Sequence, residues 1–207
     1  REITKDSRGD LEKARAIYEW IVVNTFRDPK VRGCGVGDIR SMLETRNLGG
    51  KCADLNALFV GLARAAGLPA RDLYGMRVAD SSEFKCLGRS GDVTKAQHCR
   101  AEFYTPALGW VPVDPADVRK VVLEENGGLS LEDPTVVRAR AKLFGAWEMN
   151  YLPFNVAHDL PLPNSTREPI AFLMYPQAET GEGAKDCLDP DAFRYRITSR
   201  ELRPARA

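Results

Sequence analysis

Apolar residues recur at three- and four-residue steps from Leu11 through Ala14, Ile17, Tyr18, Ile21 and Val22. That spacing predicts an amphipathic helix with Asp10 as its N-cap, closed off by Asp28-Pro29. Gly33, Gly35 and Gly37 then make a flexible loop, and a short helix carrying Ile39, Met42 and Leu43 starts at Asp38 and stops before Gly49-Gly50. A third helix bears the apolar stripe Leu55, Leu58, Phe59, Leu62, Ala63 and Ala66, with Gly67 and Pro69 as its stop. Tyr74, Met76 and Val78 alternate as a strand does, and residues 79–94 are polar and read as a long loop. Two strands follow, Gln97 to Tyr104 and Trp110 to Val113, joined by Thr105, Pro106 and Gly109.

Past Glu125 the texture changes. Asn126-Gly127-Gly128 marks a boundary, and Asp133-Pro134 marks a helix start with proline at its first position. A proline-rich stretch from Pro153 to Pro169 precedes an apolar run at Ile170 and an alternating run of Phe193, Tyr195 and Ile197. We therefore expect a core over residues 1–125 and a C-terminal extension over 126–207 packed on it, since the second piece is short for an independent domain. No repeat or low-complexity tract interrupts the chain.

The chain has 207 residues, enough for one good hydrophobic core, and its 43% hydrophobic and 29% charged content is that of an ordinary globular protein. No apolar run is long enough to cross a bilayer. The net charge of +1 offers no field for nucleic acid or an anionic membrane. The C-terminal arginines Arg194, Arg196, Arg200, Arg203 and Arg206 are interrupted by Glu201 and preceded by Asp191, so they read as a solvated face and tail. The five cysteines, Cys34, Cys52, Cys86, Cys99 and Cys187, contain no CxxC metal or redox motif. One reactive thiol plus up to two disulfides would suit an oxidising compartment, five thiols a reducing one.

Cys52 is the residue that changes this picture. It follows Gly49-Gly50-Lys51 at the mouth of the third helix, where unsatisfied backbone N–H groups favour a thiolate and glycine lets a substrate backbone approach. Alone, a Gly-Gly-x-Cys is more often a core filler. It is not a phosphate-binding loop, because Thr45 and Cys52 stand where that motif needs glycine and Ser or Thr. A hairpin turning about Pro106 would set His98 opposite Asp114 and Glu102 opposite Trp110, all on one face of the sheet. A thiol, an imidazole to take its proton and a carboxylate to orient the ring are the parts needed for acyl transfer.

These residues carry a resemblance. Gly50-Lys51-Cys52-Ala53-Asp54 through Ala65-Ala66-Gly67-Leu68-Pro69-Ala70-Arg71 is similar to the nucleophile helix of bacterial transglutaminase-like proteins. His98-Cys99-Arg100-Ala101-Glu102 resembles their His-x-Trp-x-Glu strand, with Arg100 in place of the tryptophan. Gly109-Trp110-Val111-Pro112-Val113-Asp114-Pro115 resembles their Gly-Trp-x-x-x-Asp-Pro strand. The resemblance covers about residues 10–118. It implies an α+β, papain-like transglutaminase-core fold, a helical lobe with the nucleophile helix packed on an antiparallel β-sheet, and a catalytic set of Cys52, His98 and Asp114. Gly50, Lys51, Glu102 and Trp110 are then expected to bind substrate. No cofactor and no metal are implied.

The expected reaction is attack of Cys52 on a peptide or carboxamide carbonyl to give a thioester, with a protein or peptide as substrate. Water as acceptor makes a peptidase or amidase, the preferred reading; an amine makes a transglutaminase; and a binding or scaffolding module could keep the fold without turnover. His158 could be a rival base, though a structural hydrogen-bonding role is favoured. Trp20 could serve an oxyanion site, but its helical setting favours core packing. Cys99 should point away from His98 into core or a disulfide, and Cys34 should either pair with another cysteine or line the cleft. Because the chain begins at Arg1, we expect a segment removed upstream, and similar bacterial proteins suggest a periplasmic or secreted setting.

Overall fold

In the computed structural model, which describes residues 1–189 and 191–202, the first periodic run forms helix α1 (Asp10–Asn24). Arg203 and Arg206 lie outside the described residues. Gly9, not Asp10, is the N-cap of α1; Asp10 is the first helical residue and, with Glu12, puts negative charge at the positive end of the dipole. Ala14, Ile17, Tyr18, Ile21 and Val22 are buried, while Leu11 at the start of the stripe is half exposed. Helix α2 (Ile39–Thr45) starts where expected, because the Asp38 carboxylate accepts the Ser41 N–H at 3.0 Å. Helix α3 (Cys52–Ala65) ends at Gly67, whose φ of +87° is open to glycine. Its N–H reaches Arg64 O at 3.0 Å and the next N–H, Leu68, reaches Ala63 O at 2.9 Å, so two end carbonyls are satisfied.

The sheet has four antiparallel strands, β1 (Ala70–Arg77), β2 (Gln97–Thr105), β3 (Gly109–Val113) and β4 (Tyr151–Asn155), in the order β3-β2-β1-β4. Burial along β1 is nearly continuous from Asp72 to Arg77, because both faces of the sheet are covered. On one face α3 packs Phe59 against Phe103 at 6.1 Å between ring centroids. On the other, Trp147 and Tyr151 cover Arg100. Full burial of Leu55, Leu58, Phe59 and Phe103 contributes about 1.5–3 kcal/mol per side chain to the driving force.

The β2–β3 register differs from the expected one by two residues. Ala101 faces Val113, Glu102 faces Pro112, and the ladder closes at Thr105–Gly109 around the loop Pro106 to Leu108. Gly109, at φ +72°, takes the left-handed conformation that this three-residue connection needs. A slip of two keeps every side chain on its predicted face, but Glu102 is not opposite Trp110 and His98 is not directly opposite Asp114.

Helix α4 (Pro115–Glu124) begins at the end of β3, in a stretch for which the sequence pattern predicts no element. Asp114 caps it, accepting the Asp117 N–H at 3.0 Å, and Pro115 holds the first position. Helix α5 (Pro134–Lys142) starts as expected, with Asp133 accepting the Thr135 N–H at 2.8 Å. Val136, Ala139 and Leu143 from this region join the core formed by α1, α3 and the sheet, and β4 extends the sheet edge. Phe193, Tyr195 and Ile197 do not form a strand; only Thr198–Ser199 pairs, with Gly91–Asp92. Among the described residues no helix is long and apolar enough to cross a membrane.

Candidate active site

Cys52 is the first residue of α3 and is only 4% exposed. The turn that presents it is latched by one carboxylate. Asp54 accepts the backbone N–H of Lys51 at 2.9 Å and those of Val36 and Gly37 at 3.0 Å each, tying the glycine loop to the helix entrance. Gly50 and Gly35 are required beneath this latch: a Cβ on Gly50 would lie 2.5 Å from the Asp54 Cβ, and one on Gly35 would overlap its carboxylate. Cys34 arrives on the same loop. Its carbonyl accepts the Ala53 N–H at 2.9 Å, and its sulfur lies 3.3 Å from Gln97 O.

Three sulfurs therefore meet at the helix entrance. Hydrogen bonds from the Cys34 and Cys99 thiols, aided by the charge and hydrogen bond of His98, hold the Cys52 thiol well below its ordinary range despite burial. Cys34 and Cys99 are pushed well up, Cys34 chiefly by its bond to Cys52 and Cys99 chiefly by burial. Of the three, Cys52 is the thiol whose ionisation the surroundings favour. Cys99 is thus a buried core residue beside Cys52, and all five cysteines are free.

His98 on β2 is 3% exposed, and its Nε2 lies 2.7 Å from Asp114 Oδ2 and 3.4 Å from Asp117 Oδ2. The Asp114 carboxylate is fixed on its other side: Oδ1 accepts from Asn56 Nδ2 at 3.1 Å and from the Asp117 N–H, and Arg100 Nε stands 3.5 Å from Oδ2. One aspartate is both helix cap and ring holder, so the start of α4 sets the ring's orientation. Arg77 pairs with Asp117 at 2.5 Å and holds that carboxyl well below the usual range against the opposing pull of burial. Burial raises Asp114, with Asp117 adding to it. For His98, burial and Arg77 favour the neutral ring, but Asp117, Asp114 and Cys52 outweigh them and raise it to about 9. His98, Asp114 and Asp117 resemble a metal ligand set, yet the Arg77 and Arg100 guanidiniums already supply the positive charge beside these carboxylates.

The structure thus brings Cys52, His98 and Asp114 together. It places Glu102 and Trp110 elsewhere: Glu102 is held by Arg71 at 2.5 Å, and the Arg71 guanidinium lies 3.9 Å over the Trp110 ring. Four residues along β2 separate His98 from Glu102, roughly 13 Å of strand. Lys51 lines a cleft beside Cys34, and its ammonium donates to Val31 O at 2.5 Å. His158 contacts the Tyr74 hydroxyl and lies 3.5 Å from Asp72, and Trp20 packs against the core. Asn56, Asp54, Arg77 and Asp117 were missed. Asp54 and Asn56 do break the apolar pattern early in a helix, and Asp117 sits three residues after an Asp-Pro cap, so a signal existed for all but Arg77.

The chain is 43% identical over 203 residues to an uncharacterized protein of Haemophilus influenzae, matching 93% of this chain and 54% of that protein. It thus spans about half the length of that relative. Two solved structures are similar to part of the chain at low identity. A proposed cysteine protease from Cytophaga hutchinsonii is 20% identical with a TM-score of 0.41, covering 56% of this chain and 34% of that one. The periplasmic domain of TgpA from Pseudomonas aeruginosa is 20% identical with a TM-score of 0.33, covering 53% and 45%. The family profile matches residues 1–115, more than half of the sequence and the stretch that carries the helix of Cys52, the strand of His98 and the Asp114 cap, so the chain belongs to the transglutaminase-like superfamily.

Proposed function

We propose that the protein is a cysteine-nucleophile acyl-transfer enzyme that cleaves peptide or carboxamide bonds through a thioester on Cys52. The observation that carries this reading is the 2.7 Å contact of His98 with Asp114 beside a thiol whose pKa is depressed. With Nε2 turned to the carboxylates, the other ring nitrogen, Nδ1, is left to exchange a proton with sulfur. The Cys52 thiolate attacks the carbonyl carbon, forming a C–S bond. As the tetrahedral adduct collapses, the C–N bond breaks and His98 gives its proton to the leaving amine. Water then attacks the thioester, His98 takes the proton, and the thiolate departs with the carboxylic acid released. An amine acceptor in place of water would form a new amide by the same second step. Hydrolysis is the reading we favour.

Alkylation kinetics test this assignment. At about pH 6 an ordinary thiol is less than 1% ionised, so Cys52 should react with iodoacetamide at least about tenfold faster than a small free thiol. His98→Ala should remove that excess. Equal rates for Cys52 and the free thiol, or no effect of the histidine substitution, would overturn the proposal.

A further inference from the structure

A cleft of about 550 Å³, a size suited to a short stretch of peptide, reaches Cys34 and Lys51, the neighbours of Cys52, but the buried Cys52 does not itself line it. Its inner end is Cys34, whose thiol contacts Cys52, and Lys51, the residue before it. One wall is the loop Thr94 to Gln97. The outer wall comes from the C-terminal region: Tyr175, Leu188, Phe193 and Tyr195. That wall is tied down on both sides. Arg32 pairs with Asp186 at 2.7 Å, the Val93 N–H bonds Ile197 O at 3.0 Å, and the Ile197 N–H bonds Thr94 Oγ1 at 2.9 Å.

The lining has two chemical features. Three aromatic rings and a leucine face the space, which suits an apolar side chain. Lys51, Lys95 and Arg194 also line it, and among the described residues no carboxylate does. The acids nearby are engaged elsewhere, Asp92 by Arg196 at 3.6 Å and Asp186 by Arg32. Lys51 donates to a neutral carbonyl, and the Arg194–Asp191 contact is a loose 4.0 Å between highly exposed groups. The cleft therefore presents three cations, with only the loose Asp191 contact against them, next to apolar surface, although the chain as a whole is almost neutral.

Resting on the catalytic reading above, we infer that this cleft is the acyl-donor site and takes peptides that carry a carboxylate beside an aromatic or aliphatic side chain. The C-terminal region then has a definite part in the enzyme, since it supplies the wall that selects the side chain. Lys95 and Arg194, both exposed, select the charge.

Two alkylating reagents of similar size and opposite character read this directly. Iodoacetate carries a carboxylate and iodoacetamide does not. At low ionic strength, the ratio of their rates at Cys52, scored by peptide mapping, should exceed the same ratio for a small free thiol by about tenfold. The charge-reversed protein Lys95→Glu/Arg194→Glu should lower that ratio about tenfold or more, and about 0.5 M salt should shrink the difference between the two proteins. In the native protein, acetyl-Phe-Glu-amide should protect Cys52 better than acetyl-Phe-Gln-amide. A ratio unchanged by charge reversal, or equal protection by the two peptides, overturns the inference while fast alkylation leaves Cys52 as nucleophile. If Cys52 is slow toward both reagents, the catalytic reading falls and the inference falls with it.

Discussion

Replacing Cys52 with serine tests the thiolate–imidazolium pair through stability alone. In the folded protein the His98 pKa is raised to about 9, against about 6.5 for an unperturbed imidazole, so folding binds a proton between those values. Its contribution to stability is fully present below about pH 6.5 and is lost as the pH rises through about 9. The Cys52 thiol moves the other way. Its folded pKa is well below the ordinary range, so its contribution is present above about pH 8.5 and is lost as the pH falls toward the folded value. Between about pH 6.5 and 8.5 the two slopes cancel in the native protein, because the proton leaving sulfur is the one the ring gains.

With serine at position 52 only the histidine slope remains. Loss of the neighbouring thiolate also lowers the His98 value somewhat. With the native value of about 9 as the ceiling, linkage gives a stability loss of up to roughly 2 kcal/mol from pH 6.5 to 8.5. Urea unfolding of both proteins at about pH 6.5, 7.5 and 8.5 measures this, and the difference between them cancels groups whose titration is common to both. A native protein that itself loses that much stability across the window would refute the charge pair, as would a Cys52→Ser protein whose stability is flat.

Two further perturbations follow from the same geometry. Asp54→Ala removes the charged acceptor of three backbone N–H groups and should cost about 2–3 kcal/mol in urea unfolding, while slowing Cys52 alkylation because the helix entrance loosens; an unchanged alkylation rate would show that the latch does not position the sulfur. Phe59→Ala opens a cavity against Phe103 at the centre of the helix–sheet interface and should cost about 3–5 kcal/mol, a loss below about 1 kcal/mol being incompatible with the packing described.

What the sequence determined by itself is what depends on near neighbours. The stripe of α1, the Asp38 cap, the Gly67 stop and the exposure of a thiol to a helix N-terminus each follow from residues a few positions apart, and the structure keeps them. Three short motifs in order also brought Cys52, His98 and Asp114 within reach as a set. Helix α4 was equally local, since Asp114-Pro115 carries the same cap signal as Asp133-Pro134, but its double use as ring holder and cap was read only as the first.

The tertiary structure decided what depends on distant partners. The β2–β3 register hinged on how many residues the turn consumes, and a change of two left every face unaltered, so no hydrophobic pattern could reveal it. Glu102 and Trp110 went to Arg71, a residue of the adjoining strand. The shift of the Cys52 thiol comes from Cys34, Cys99 and His98, and that of the His98 imidazole from Asp117, Asp114 and Arg77, groups spread over forty or more positions of the chain. Buried charges interact strongly wherever burial removes water between them, and burial belongs to the folded chain, not to any segment of it.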